Sequence, residues 1–408
     1  MAKRSNGEGS IYPYRNGYAA HVWVVTPQGQ RKRKTVYGKT RKDVHAKWVK
    51  LHRAAANGPV PTSSPNVASY LDYWLREVVI VPDYAPMTVA TYKTFVKHYI
   101  APYLGKKKLD KLTVKDLRLW VNTLRKTCQC CAQGKDTSRL PRKQRCCAIG
   151  KCCGQITSES NIYEARKILR SALSNAQREE LVSRNVAQLL KTSKPRSKKT
   201  PTWSLEEVQQ FLESARADND PLYAAYVLIL VLGLRKGEVL GLVWECVDLD
   251  NAELSVEWQL QRVANELLHR QTKTQSSNAT LPLPDLCVAA LRTRAQQQAA
   301  TVPGARKFVF TATTGQPVDP RGFNRRFDKR CEEAGVRRIS VHTTRRTCAT
   351  LLAALDVHPR VAMRILRHSQ ITLTMDVYSE VQDESTQTAL KKLSGTVEGT
   401  VGREPWEG

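Results

Sequence analysis

The sequence predicts a multidomain protein with a small N-terminal β-sheet plus helix domain, an all-α bundle, and a mixed α+β, mainly α, C-terminal domain. Three observations lead there. Two stretches rich in Pro and Ser or in Lys, Gly58–Pro65 and Lys191–Pro201, read as linkers and cut the 408 residues into three segments. Strand and turn signals crowd the first segment, helical spacing fills the second, and the third carries both. The third observation is charge: 65 Lys+Arg stand against 37 Asp+Glu, a formal net charge of +28. Such a surface repels itself unless a polyanion covers it, so nucleic acid is the expected partner. At 41% hydrophobic residues the chain is too apolar for a disordered protein. The opening MAKRSNGEGS has no apolar core, so no signal peptide is expected. The longest apolar run, Tyr223 to Leu234, is broken by Gly233 and falls short of the ~20 residues a bilayer requires, so it reads as a buried helix.

Residues 1–60 are expected to form the first domain. Ile11–Tyr14 and Tyr18–Val25 flank Arg15-Asn16-Gly17, and Asn-Gly is a strong hairpin signal. The turn Thr26-Pro27-Gln28-Gly29 leads to a third strand, Arg31–Tyr37. Thr40 can cap a helix with Val44, Trp48, Leu51 and Ala55 on one face, ending at Gly58. The third strand opens with Arg31, Lys32, Arg33 and Lys34. A basic ribbon of this kind suits a DNA groove, and it also suits a charged edge that deters strand pairing. In so basic a chain, DNA contact is the expectation.

Residues 66–195 read as all-helical. Val67, Tyr70, Leu71, Trp74, Leu75 and Val78 recur at helical spacing, as do Tyr92, Phe95, Val96, Tyr99 and Ile100. Thr113 with Asp116 makes a capping box, and Ile162 to Ala176 marks a long helix. Between these last two lies an insert, 127–155, holding Cys128, Cys130, Cys131, Cys146, Cys147, Cys152 and Cys153 among six Lys and Arg residues. The C-x-C-C and C-C-x4-C-C spacing matches no standard zinc finger. Neighbouring thiolates can hold one or two Zn²⁺ ions tetrahedrally, or form local disulfides under oxidation. A structural zinc is the expected cofactor here, with the insert a basic knob rather than a catalytic centre. The linker that follows, with Lys198 and Lys199, can track phosphates.

Residues 202–393 carry the chemistry. Ser204 and Glu207 form a capping box, and a buried helix at 222–232 runs into GLRKGEVLGL, which places Arg235 and Glu238 one helical turn apart. Leu254–Leu260 and Thr280–Leu283 read as strands, with Lys273 in TKT ahead of LPLP. Helices are expected near 343–355, 359–367 and 370–379. HTTRRTCAT puts His342 and Arg345 at a helix start, and LRHSQITLTMDVYS holds His368 and Tyr378. The order Arg, Lys, His-x-x-Arg, His, Tyr resembles the catalytic domain of the tyrosine recombinases, the phage integrase family. The remaining order, a small arm-binding domain and then a helical core-binding domain, is similar to the family's too. The cysteine-rich insert is outside the general pattern and is similar to integrases of actinobacterial phages and integrative plasmids. Two positions depart from the family: Arg346 where His is frequent, and Arg367 in place of the Gly of Leu-Gly-His.

The resemblance implies a site-specific recombinase that cleaves and rejoins DNA at attachment sites through a 3′-phosphotyrosine. Tyr378 would be the nucleophile. Arg235 and Arg345 would hold the non-bridging phosphate oxygens, Lys273 would protonate the leaving 5′-oxygen, and His342 and His368 would assist. Glu238 would orient Arg235 or His342. No cofactor is expected for catalysis. The implied partners are double-stranded DNA at core and arm sites, three further copies of the chain in a tetramer on a Holliday junction, and an excisionase-type directionality factor. The implied location is the cytoplasm of a bacterial host, on its chromosome. An Xer-like resolvase and a non-catalytic DNA-binding regulator of the same fold are the competing expectations. The segment 394–408 reads as a flexible tail.

Overall fold

The computed structural model describes residues 11–26, 29–58, 60, 64–192, 195, 201–272, 279–301, 304, 307–368, 370–372, 374, 375 and 377–379. The chain divides into two compact units, Met1–Ser197 and Lys198–Gly408.

The first unit begins with a three-stranded antiparallel sheet in sequential order: β1 (Ile11–Tyr14), β2 (Gly17–Val25) and β3 (Arg31–Gly38). Helix α1 (Arg41–Asn57) follows, and the Thr40 side chain caps it by accepting the Asp43 N–H. Alternation along β2 sends Ala20, Val22 and Val24 inward, where they meet Val44, Trp48 and Leu51 of α1. On the opposite face Trp23, Val25 and Tyr37 are exposed.

The helical part contains α2 (Val67–Tyr73), α3 (Pro86–Phe95), α4 (Ala101–Leu104), α5 (Val114–Lys126), α6 (Gln129–Ala132), α7 (Glu159–Arg178) and α8 (Val186–Leu189). Helix α2 runs on through a wider π turn at Trp74–Val78, and α3 does the same at Val96–Ile100. The Thr113–Asp116 capping box opens α5. One core holds the bundle together, with Tyr70, Trp74, Ile100, Leu117, Trp120, Ile168 and Leu169 at its centre.

The second unit contains α9 (Leu205–Ala217), α10 (Tyr223–Val231), α11 (Lys236–Leu240), β4 (Val247–Asp248), β5 (Glu253–Ser255), β6 (Trp258–Val263), β7 (Glu266–Gln271), β8 (Thr280–Pro282), α12 (Asp285–Thr301), α13 (Pro320–Glu333), α14 (Val341–Ala354) and α15 (Pro359–Leu366). Helix α10 is the pillar: Ala224 through Leu230 are all buried, as expected of a helix apolar on every side. Trp203, Phe211, Tyr226, Phe323 and Phe327 form an aromatic cluster beside it. Strands β4, β5 and β8 make one antiparallel sheet, and β6 and β7 make a separate hairpin.

The structure differs from the sequence expectations at three places in this unit. The single strand expected over Leu254–Leu260 is two strands, β5 and β6, and the basic stretch beginning at His269 completes β7. The turn between β6 and β7 uses Ala264 at φ 51° and has no Asn-Gly to announce it. Helices α12 and α13 were not expected. The buried side of α12 includes Arg294 and Gln298, so no apolar stripe marks it. In α13 the stripe Phe323, Phe327, Cys331 is broken up by Arg325, Arg326, Lys329 and Arg330.

The contact of α11 with β6 places the site. A Cβ on Gly241 would stand 2.6 Å from the backbone carbon of Gln259 and the nitrogen of Leu260. His269 reinforces this contact: its Nε2 lies 2.9 Å from the Gly241 carbonyl and its ring stacks on Trp258. Gly241→Ala must therefore push α11 off the hairpin. The expected cost is about 1–3 kcal/mol, read as a lowered midpoint in denaturant unfolding with an unchanged slope.

Candidate active site

Arg235 caps α11. Its backbone N–H donates to Glu238 Oε2 at 2.9 Å and its Nη1 donates to Glu238 Oε1 at 2.8 Å. Glu238 is 5% exposed and also accepts Arg367 Nη2 at 2.5 Å. The carboxylate thus orients Arg235, and its second guanidinium partner is Arg367. Arg345 rises from the start of the second turn of α14, and its two Nη atoms donate to the carbonyls of Gly233 and Leu366. This joins the loop before α11 to the end of α15. Gly233 has φ +59°, and a Cβ there would lie 2.5 Å from Leu366 Cδ2, so the close approach requires glycine.

Leu234, Arg235, Lys236, Asn324, His342 and Arg345 line an open pocket of about 400 Å³. Partial burial, then the charges of Arg345, Arg235 and Lys236, hold the His342 pKa below the ordinary histidine value. His368 follows α15, and its Nδ1 lies 3.0 Å from Thr374 Oγ1. Burial, then Arg345, Arg235 and Arg367, lowers its pKa to about 4. His368 and Arg367 line a second opening of about 480 Å³ with Thr280–Pro282 and α15. Arg367 occupies a left-handed conformation, φ 50° and ψ 50°, as the C-cap of α15. The turn that glycine makes easily is therefore kept with an arginine in it, at some backbone cost.

Tyr378 is placed differently. It is 5% exposed among Ala353, Ala362, Leu352 and Val357, and its hydroxyl donates to the Val357 carbonyl at 2.5 Å. It lines neither of the two openings, and burial raises its pKa. Lys273 lies outside the described residues, as do Lys198 and Lys199. Two pocket groups were not among the residues expected from sequence. Lys236, its pKa lowered by burial, donates from Nζ to Asn324 Oδ1 at 3.0 Å. Its position beside Arg235 in the motif was the available signal.

The other predicted contact residues separate by strand register. Arg31 and Arg33 pair with Val25 and Trp23 on the open sheet face, while Lys32 and Lys34 pair with Val24 and Val22 on the face toward α1. The Arg31 guanidinium lies 5.3 Å from the Trp23 ring centre, and Trp23 and Tyr37 are both more than half exposed. This face is basic and aromatic together. In the insert none of the seven cysteines is joined in a disulfide. Buried Asp136 accepts the backbone N–H groups of Arg145, Cys146 and Ala148 and the Arg139 guanidinium, and so organises the loop that carries Cys146 and Cys147.

A site with two arginines and a histidine on one pocket, and a second histidine beside it, can hold a phosphodiester and stabilise charge on its oxygens. Residues 202–385 match the phage integrase family, and residues 66–125 match the phage integrase N-terminal SAM-like domain. Together the two matches take in more than half of the chain, which belongs to the phage integrase family of tyrosine recombinases, enzymes that cleave and rejoin DNA. Its relatives include a XerC-like tyrosine recombinase of Caldanaerobacter subterraneus subsp. tengcongensis, 24% identical over 97% of this chain and 99% of that protein. An integrase of Saccharopolyspora erythraea is 21% identical over 98% of each. The solved Tn1549 transposon integrase, in complex with transposon right-end DNA, has the same fold with a TM-score of 0.62 at 18% identity, over 81% of this chain and 99% of that one. No helix among the described residues is long and apolar enough to cross a membrane.

Two outcomes follow from the site's electrostatics. Glu238→Gln leaves Arg235 and Arg367 without a counter-charge, and breaking a buried pair from one side costs about 3–5 kcal/mol, measurable by denaturant unfolding. Because the folded-state pKa of His368 is depressed, its neutral form is favoured by folding. The stability it contributes is complete above the unfolded value near 6.5 and is lost as pH falls toward about 4. NMR titration of the free protein should find His368 unprotonated at pH 6; a midpoint at or above 6.5 would contradict the burial argument.

Proposed function

We propose that this chain is a site-specific integrase that joins a phage or plasmid to a bacterial chromosome, cutting attachment-site DNA through a 3′-phosphotyrosine on Tyr378. The observation that carries this reading is the convergence of Arg235, His342 and Arg345 on one pocket, with His368 within electrostatic reach of both arginines.

The pocket takes the scissile phosphate. Arg235 is the more open of the two arginines, its side chain 41% exposed, and it presents the guanidinium edge that Glu238 leaves uncovered to the non-bridging oxygens. Arg345 supplies positive charge from behind while its Nη atoms brace the surrounding backbone. His368 uses Nδ1 on Thr374, which leaves Nε2 for a phosphate oxygen. Tyr378 must release the Val357 carbonyl before it can attack phosphorus. Its proton passes to a neutral imidazole, and the lowered pKa of His342 keeps that ring available as an acceptor at neutral pH. Lys273 donates a proton to the departing 5′-oxygen. The tyrosyl phosphodiester conserves the bond energy, so a 5′-hydroxyl from a second duplex can reverse the step and exchange strands. Four copies of the chain on two duplexes would perform this pairwise. The open face of the N-terminal sheet, with Arg31, Arg33, Trp23 and Tyr37, binds a separate arm sequence.

Incubation with a nicked suicide duplex carrying the attachment core should trap a covalent protein–DNA band. Tyr378→Phe should abolish the band, and its persistence would remove Tyr378 as nucleophile. Arg235→Ala should slow cleavage by about 10²–10³-fold while core-site affinity changes only a few-fold. Removal of residues 1–60 should eliminate arm-site binding and leave core-site cleavage intact, both read by gel shift and adduct formation.

A further inference from the structure

The seven cysteines of the insert form two sulfur tetrads. The Sγ atoms of Cys128, Cys131, Cys147 and Cys152 all lie within 4.8 Å of one another, and so do those of Cys130, Cys146, Cys147 and Cys153. Every cysteine of the insert belongs to a tetrad, and Cys147 belongs to both. Two four-coordinate ions that share one ligand need seven ligands in all, which is the number this insert holds. We propose that residues 128–153 hold a binuclear zinc centre in which the Cys147 thiolate bridges two tetrahedral Zn²⁺ ions.

Two edges of each tetrad have the length that ion sets. A Zn–S bond of about 2.3 Å gives a tetrahedral ZnS4 unit S···S edges of about 3.8 Å. In the first tetrad Cys128–Cys147 is 3.9 Å and Cys131–Cys152 is 3.7 Å. In the second, Cys130–Cys146 is 3.8 Å and Cys147–Cys153 is 3.7 Å. Cys147 therefore supplies a correct edge to each tetrad. A disulfide needs about 2.05 Å, and an iron–sulfur cluster would spread its cysteine sulfurs around an inorganic core wider than these tetrads.

The rest of the insert supports the same centre. Its apolar side chains face outward, with Leu140, Ile149 and Ile156 each at least half exposed, so the segment has no apolar core of its own to hold it. Asp136 fixes one turn of it, Gly134 and Gly150 reverse the chain at φ +61° and +77°, and the Gln129 N–H donates to the Gln155 carbonyl at 2.8 Å to close its two ends. Among the described residues the cysteines are its only clustered side chains with metal-ligating chemistry. Seven thiolates around two divalent ions carry a net charge of about −3. Lys135, Arg139, Arg142, Lys143, Arg145 and Lys151 surround them in sequence and offset it. Binding would release the thiol protons to solvent and join the start of α6 to the 146–153 loop.

The test uses the full-length protein, purified under reductant with zinc and dialysed free of excess metal. Elemental analysis, with mercurial release into a chromogenic chelator, should give two zinc ions per chain. One ion or none would overturn the proposal. After exchange with ¹¹³Cd, the NMR spectrum should show two tetrathiolate resonances coupled to each other through the bridging sulfur; two uncoupled resonances, or one, would overturn it. Cys131→Ala should drop the zinc content from two to one, and an unchanged content of two would place the ions elsewhere. Should that variant fail to fold, the cadmium spectrum of the unaltered chain decides alone.

Discussion

The catalytic unit depends on one buried carboxylate. Glu238 binds the backbone and guanidinium of Arg235 and the guanidinium of Arg367, and so links the start of α11 to the end of α15. Close to it, Arg345 ties Gly233 and Leu366 together through their carbonyls. Two buried guanidinium groups, Arg345 and Arg367, and the partly exposed Arg235 would repel one another, and the carboxylate makes the arrangement tolerable. The constraint reaches outward: the tight approach at Gly233, the left-handed Arg367 and the seat of α11 against β6 are all needed to bring these groups within bonding distance.

Most of this was legible in the sequence, for reasons that differ by residue. Arg235 and Glu238 stand three apart at a helix start, and local geometry alone makes them meet. His342 and Arg345 share a helical turn, so their common face is also local. The capping boxes at Thr113 and Ser204 could be read for the same reason. What could not be read depends on long-range packing. Nothing near Arg367 in sequence signals that it pairs with a residue 129 positions earlier. Lys236 lies beside a motif arginine, yet its place in the pocket depends on Asn324, from another helix. Helix α12 buries Arg294 against the Val309 carbonyl, which conceals the pattern that would have announced a helix. The seating of Tyr378 on Val357 is a tertiary contact that no spacing rule anticipates.

Three regions of the chain hold their shape by different means. The catalytic unit has a large aromatic and aliphatic core around α10. The N-terminal sheet buries one face against a single helix and leaves the other basic and aromatic, which ties its surface to its packing: Val22 and Val24 face in because Trp23 faces out. The cysteine insert has neither device. A buried aspartate that collects N–H groups fixes one of its turns, and its sulfurs crowd together at van der Waals distance. The surplus of +28 is thus divided among surfaces that differ in rigidity and in how they could meet a phosphate.

Arg367 leads to a thermodynamic consequence. Among the described residues its Nε and Nη1 are buried and have no hydrogen-bond partner, while Glu238 satisfies only Nη2. The free unit therefore carries buried donors that no described protein group satisfies. An anion held at the neighbouring pocket would counter the field of all three arginines at once, and folded chains would gain from it where unfolded chains would not. Folding and occupancy would then be linked quantities: the stability of this unit would depend on the anions around it, and a phosphate bound there would serve as a structural element of the domain.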